Sequence, residues 1–163
     1  MTASGPSGFS SEAELEQARQ GVFEFFKNVP FNKLLGLELL EIEPGRARLA
    51  IQWREDLCQP AGIMHGGAIA SLVDTAIAHA ILLAAPNLES RGDGGRMVAI
   101  DLRLKYLRPV SEGRIFCDAR VLRLGRKIVH ASGTVTDSQG KDVALGDAIY
   151  MLIAKDQLRK RSE

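Results

Sequence analysis

Twenty consecutive residues, Gly66 to Ala85 (GGAIASLVDTAIAHAILLAA), hold a single charged side chain, Asp74. No other stretch restricts the fold as much. Read as a helix, it is apolar on nearly every side, so the rest of the chain has to wrap it and leave it largely buried. Ser71, Asp74, Thr75 and His79 interrupt the run, and no unbroken apolar segment reaches the roughly 18 to 20 residues of a membrane span. The wrapping follows on its C-terminal side, where the hydrophobic period changes to two. Val98, Ile100, Leu102, Leu104 and Tyr106 alternate with Ala99, Asp101, Arg103 and Lys105, which predicts a strand. Further strands are expected over Ile115–Val121, Val129–Val135 and about Val143–Ala154. The short turns Ser111–Arg114, Leu124–Lys127 and Ser138–Lys141 each carry a glycine and read as antiparallel hairpins.

On the N-terminal side, Ser11 and Glu14 have capping-box spacing and Leu15, Ala18, Val22 and Phe25 or Phe26 recur at helical intervals until Pro30. Two strands flank the turn Glu43-Pro44-Gly45-Arg46, the second with Ala47, Leu49, Ile51 and Trp53 on one face. A loop from Glu55 to Met64 precedes the apolar helix, and the loop Pro86–Gly95 follows it. The order is helix, two strands, long helix, four strands, an α+β pattern with an antiparallel sheet. Ala99, Ala119, Ala131, Gly133, Gly146 and Ala148 are small enough to let such a sheet curl closely round the helix.

At 163 residues the chain is expected to form one domain over residues 11–163, with residues 1–10 frayed. A net charge of +1 gives no reason to expect nucleic acid, and no membrane partner is expected. Cys58 and Cys117 have no metal-ligand spacing. They read as reduced thiols of a cytoplasmic protein, and no metal is expected.

An unpartnered ionised carboxylate is costly in an apolar setting. Asp74 therefore either faces solvent, satisfies a structural need in the core, or serves as nucleophile or general base in an apolar pocket. Ser71, on the same helix face, either assists there or bonds its own backbone. The triplet His65-Gly66-Gly67 opens the helix. Helix-initial N–H groups lack intrahelical partners and lie at the positive end of the dipole. Such donors suit the oxyanion of an acyl transfer.

His-Gly-Gly with an aspartate seven residues beyond its last glycine, inside an apolar helix, resembles the hotdog-fold acyl-CoA thioesterases of the phenylacetate-degradation (PaaI-like) branch. The segments Lys105–Pro109 and Leu122–Lys127 are similar too, and the likeness runs from about Asn32 to Ala154. It implies a hotdog fold, an antiparallel sheet around a long central helix, here with an extra N-terminal helix. It also implies hydrolysis of acyl-CoA, with coenzyme A entering as part of the substrate and no other cofactor. By the same likeness Asp74 is the catalytic carboxylate, Gly66 gives the oxyanion N–H, His65 orients the loop or the carbonyl, and Gln59 holds the thioester or water. Gly67, Ser71 and Gly125 are expected to border the substrate, while Arg108, Arg123, Arg126 and Lys127 are candidates for the coenzyme A phosphates. One departure is Ala99, where some members carry a Ser or Thr that positions water.

Eight residues of helix separate Gly66 from Asp74 by about 12 Å, too far for one thioester to touch both. The expected site therefore combines Gly66 of one subunit with Asp74 of another, in a homodimer or a dimer of dimers. Two other readings compete. A hotdog enoyl-CoA hydratase would pair Asp74 with His79, which on a helix point about 140° apart. A non-catalytic acyl-CoA-binding protein would share the fold without the chemistry.

Overall fold

The computed structural model describes residues 9–85 and 96–153. The elements run α1 (Glu12–Asn28), α2 (Pro30–Leu35), β1 (Leu37–Glu43), β2 (Arg46–Gln52), α3 (Gly66–Ala84), β3 (Arg96–Tyr106), β4 (Arg114–Leu124), β5 (Ile128–Asp137) and β6 (Asp142–Ile153). One antiparallel sheet, in the order β1-β2-β4-β5-β6-β3, curls around α3. This is the expected α+β hotdog architecture. The expected loop Pro86–Gly95, most of the expected frayed N-terminus and the tail beyond Ile153 lie outside the described residues.

The helix can approach the sheet because the strands beneath it carry almost no side chain there. Ala47 pairs with Ala119, Ala119 with Gly133, and Gly133 with Gly146, a row of small residues across four strands. Val73 of α3 presses into that row. A Cβ on Gly146 would lie 2.7 Å from Val73 Cγ1, and one on Gly133 would lie 3.3 Å from the same atom. Around this contact Leu49, Ile51, Leu72, Ile77, Ile81, Ile115, Val129 and Val135 are fully buried. By length and composition α3 is a candidate to cross a membrane, contrary to the sequence expectation, but it packs against the sheet as the core helix of the fold.

Burial of α3 is not all-round. Gly67, Ser71, Asp74, Thr75, Ala78 and Leu82 recur at helical spacing and stay at least partly open. The sequence reads as one apolar cylinder because most of this stripe is small or apolar rather than charged.

Ser11 caps α1 as expected, accepting from Glu14 N–H at 3.2 Å. The Glu14 carboxylate turns instead to Ser10, accepting from its N–H and hydroxyl at 2.7 and 2.6 Å. Leu15 and Phe26 are buried, Ala18 and Val22 pack against the core, and Phe25 is 60% exposed. Pro30 ends α1 and also opens the short α2, the helix position that tolerates a missing N–H.

Two strand expectations need correction. The turn Ser111–Arg114 does not close a hairpin, because β3 pairs with β6 and β4 with β2 and β5. The segment Leu107–Gly113 crosses between them. Its N–H groups at Leu107 and Arg108 donate to Val143 carbonyl, and the carbonyls of Val110 and Gly113 accept from Met64 and Trp53. Second, the alternation in β3 is broken by a bulge at Ile100. Met97 and Ala99 before it, and Leu102 and Leu104 after it, pair with the helix-facing residues of β6. Val98 and Ile100 are left 41% and 53% exposed on a sheet edge.

Candidate active site

The loop before α3 is folded tightly enough to aim its backbone. Gln59 N–H donates to Ile63 carbonyl and Gly62 N–H to Gln59 carbonyl, both at 2.9 Å, with Gly62 at φ +75°. Met64 N–H bonds the Val110 carbonyl of the crossing segment and His65 N–H bonds Leu57 carbonyl, both at 2.7 Å. Gln59 Oε1 accepts from Ala61 N–H at 3.1 Å, which leaves its amide NH₂ as the outward donor.

His65 is the N-cap of α3, its Nδ1 accepting from Gly67 N–H at 2.8 Å. Ala68 and Ile69 N–H groups both return to His65 carbonyl. Of the helix's first-turn donors, only Gly66 N–H has no acceptor among the described residues. His65 thus spends Nδ1 on capping the helix. Gly67 spends its N–H on the cap and has none to offer a ligand.

Beside Gly66 an open hollow of about 430 Å³ is lined by Gln59, Gly66, Ile69, Tyr106, Arg108 and Val110. Tyr106 hydroxyl donates to Gly66 carbonyl at 3.0 Å, and a Cβ on Gly66 would meet the Tyr106 ring at 3.2 to 3.4 Å. The glycine therefore fits beneath an aromatic ring with little room to spare.

Asp74 does not line that hollow. It is half-buried on the open stripe of α3, where the Tyr150 hydroxyl of β6 donates to its Oδ1. Tyr150 is 4% exposed. Burial first, and then the hydrogen bond and charge of Asp74, push its ionisation well above the ordinary tyrosine value. The phenol is a donor at any physiological pH. Ser71 gives its hydroxyl proton to Gly67 carbonyl at 2.8 Å, the backbone-bonding alternative.

A sequence profile described as the thioesterase superfamily matches residues 61–144, the span from the loop before α3 to the start of β6. The chain belongs to the thioesterase superfamily. It is 33% identical over 149 residues to the medium/long-chain acyl-CoA thioesterase YigI of Escherichia coli K12, covering 84% of this chain and 95% of that protein. A single-residue variant of the phenylacetic acid degradation protein PaaI from Thermus thermophilus superposes with a TM-score of 0.64. Its identity is 33%, over 76% of this chain and 98% of that one. The E. coli PaaI protein shares the fold with a TM-score of 0.74 at 24% identity, covering 86% and 96% of the two chains. Thioester hydrolysis is the activity that this membership supports.

In this thioesterase the anticipated site residues divide between two ends of the sheet. Gln59, His65, Gly66, Gly67 and Arg108 gather where Tyr106 pairs with Ala144. Asp74 lies at the opposite end with Tyr150. The β4–β5 hairpin carrying Arg123, Gly125, Arg126 and Lys127 is also at that end, since Val129 pairs with Tyr150 and Leu152 N–H bonds Lys127 carbonyl. Arg108, Arg123, Arg126 and Lys127 are exposed and form no ion pair among the described residues. The hairpin requires a glycine at 125, because a Cβ there would lie 2.6 Å from Ile128 carbonyl oxygen.

The hydratase pairing fails on geometry. Residues 75–78 are helical, and His79 turns into the core with Nδ1 2.7 Å from Thr75 carbonyl and its ring edge-on to Phe26 at 5.0 Å. Burial pulls its pKa down, and that backbone bond opposes the shift. Sequence reasoning missed Tyr106 and Tyr150. The available signal was a phenol in a strand otherwise fit for the core, whose hydroxyl needs a partner.

Proposed function

We propose that this thioesterase hydrolyses acyl-CoA to the free acid and coenzyme A in the cytoplasm, at sites shared between two copies of the chain. The observation that carries the reading is the Gly66 N–H, which has no acceptor among the described residues and lies at a helix N-terminus in a hollow that Gln59 also lines. A thioester oxygen placed there receives a preorganised donor, worth about 2.7–4 kcal/mol on a developing oxyanion. The acid comes from the other copy. Asp74 is about 12 Å up the helix from its own Gly66 but is partly open on the stripe that a second α3 can face. The apolar edge of β3, which has a partner strand on one side only among the described residues, supports pairing with a second β3. Such pairing joins the Arg108 end of one copy to the Arg126–Lys127 end of the next, giving cations from both for the phosphates of coenzyme A. A dimer of dimers repeats the same site.

Two chemical routes use this geometry. Asp74 attacks the carbonyl carbon, the C–S bond breaks, and water then cleaves the resulting anhydride. Alternatively Asp74 takes a proton from water, hydroxide adds to the carbonyl, and the thiolate leaves and recovers the proton. Label found in Asp74 after a single turnover in ¹⁸O-water identifies the first route, because Asp74 gains oxygen from water only when the anhydride is opened at its own carboxyl carbon.

The test combines variants. Asp74→Ala and Gln59→Ala are each expected to lose hydrolysis of an acyl-CoA panel, with medium and long chains first because of the YigI relatives. Co-expressed, each mixed dimer regains one intact site of its two. No regain on mixing refutes the shared site. Binding of acyl-CoA by the unmutated protein without thiol release favours the non-catalytic reading instead.

A further inference from the structure

Tyr150 has two unusual features for a core tyrosine. Its hydroxyl touches only Asp74 among the described residues, and it touches that residue twice. It donates to Oδ1 and lies 3.1 Å from the main-chain carbonyl of the same aspartate. One phenol therefore fixes the side chain relative to its own backbone, which removes rotation about the first side-chain bond. The ring cannot follow a wandering carboxylate, because it is buried on β6 between two paired neighbours, Val129 on β5 and Ala99 on β3. Ala99, directly opposite, brings no polar side-chain atom to compete. Asp74 Oδ2 accepts no hydrogen bond from the described residues.

We infer that Tyr150 is the positioning residue for the Asp74 carboxylate, holding Oδ1 so that Oδ2 is the oxygen presented to the thioester or its water. This rests on the proposed role of Asp74. A buried tyrosine hydroxyl ordinarily finds some partner for reasons of stability alone. What sets this one apart is the choice of partner, a half-exposed carboxylate that water could solvate instead. The described residues supply no ion pair to Asp74, so the phenol is the one side-chain group among them that holds the carboxylate. The raised ionisation of the phenol keeps the proton on the tyrosine side of the contact.

The experiment compares Tyr150→Phe, Asp74→Ala and the double variant on one acyl-CoA substrate, with thermal unfolding of each. Misplacement of a reacting group by about 1 Å costs up to roughly a hundredfold in rate, so Tyr150→Phe is expected to lower kcat about ten- to a hundredfold. KM is expected to stay within about twofold, because the phenol touches Asp74 and none of the groups proposed to bind coenzyme A. The double variant is expected to be no slower than Asp74→Ala, since a residue acting through Asp74 has nothing left to position. If Tyr150→Phe does not fold, Tyr150→Met is read by the same criteria. A kcat near that of the unmutated protein overturns the inference while leaving Asp74 in place. So does a Tyr150→Phe loss of equal size in the Asp74→Ala background, which assigns the tyrosine a merely structural role. Full activity in Asp74→Ala refutes the role of Asp74 itself, and the inference with it.

Discussion

Replacing Gly146 by alanine tests the contact that sets the position of α3. The new Cβ lies 2.7 Å from Val73 Cγ1 and 3.5 Å from both Leu104 Cγ and Arg103 carbonyl oxygen. Carbon atoms rest about 3.5–4.0 Å apart, so α3 has to retreat by roughly 1 Å or Val73 has to leave its rotamer. The second escape is restricted, because a β-branched side chain in a helix has one strongly preferred rotamer. Val73 is also fully buried, with no room to swing outward. Overpacking of this kind costs about 1–3 kcal/mol. At roughly 2–4 °C per kcal/mol for a chain of this size, Tm falls by about 2–12 °C. On the role proposed for Asp74, activity follows, since Asp74 is the next residue along the helix and Tyr150 is four residues along β6. A displacement near 1 Å between them lowers kcat by up to about a hundredfold. The assay is thermal unfolding at fixed protomer concentration, with acyl-CoA hydrolysis on the same samples. Adding Val73→Ala removes Cγ1 and lets the methyl group occupy its space. The double variant should then be more stable than the sum of the single effects by about 1 kcal/mol or more. Additive losses, or a Gly146→Ala protein that melts with the unmutated one, would refute the argument.

Two further outcomes follow from buried titratable groups. Burial lowers the His79 pKa below its ordinary value of 6.5, so the unfolded chain binds the extra proton first as pH falls. Stability from neutral His79 is complete above the unfolded value and is lost as pH drops from there toward the lower folded value. Urea midpoints at pH 7.5, 6.5 and 5.5 should fall in that order, and more steeply than in His79→Leu; equal slopes remove His79 as the cause. Burial, aided by the Asp118 charge, pushes the Cys117 thiol up to about 12, while Cys58 is half-buried. At pH 8 iodoacetamide should add once per native chain, at Cys58, and twice after denaturation, as read by intact mass and peptide mapping; native labelling of Cys117 contradicts the packing.

Local pattern carried much of this fold because it reports local physics. Ser11 marks the start of α1 since only a few residue types can accept from a helix-initial N–H. Alternation over Ala47–Ile51 marks β2 because one face of that strand is buried. The small residues of β4, β5 and β6 announce a close helix, and the histidine–glycine start of α3 announces a donor site. The failures are equally specific. Ser111–Arg114 looks like any hairpin turn, yet it ends a crossing, because pairing partners are chosen by the whole sheet. The strict alternation through Val98 and Ile100 does not reveal that a bulge turns both outward onto an edge. The open stripe of α3 reads as core because Asp74 is the one charged residue among its six.

By itself, then, the sequence determined the long helices and the strands, though not the short α2, that a sheet must enclose Gly66–Ala84, and which groups of the chain are chemically capable. Only the tertiary structure decided where those groups meet. It consumed three of the four first-turn donors of α3 and left Gly66 N–H, carried Tyr150 across 76 residues of chain to Asp74, and set the two halves of the anticipated site at opposite ends of one sheet. Periodicity is a property of neighbours within a turn or a strand, whereas a contact of that separation exists only after the sheet has closed around the helix.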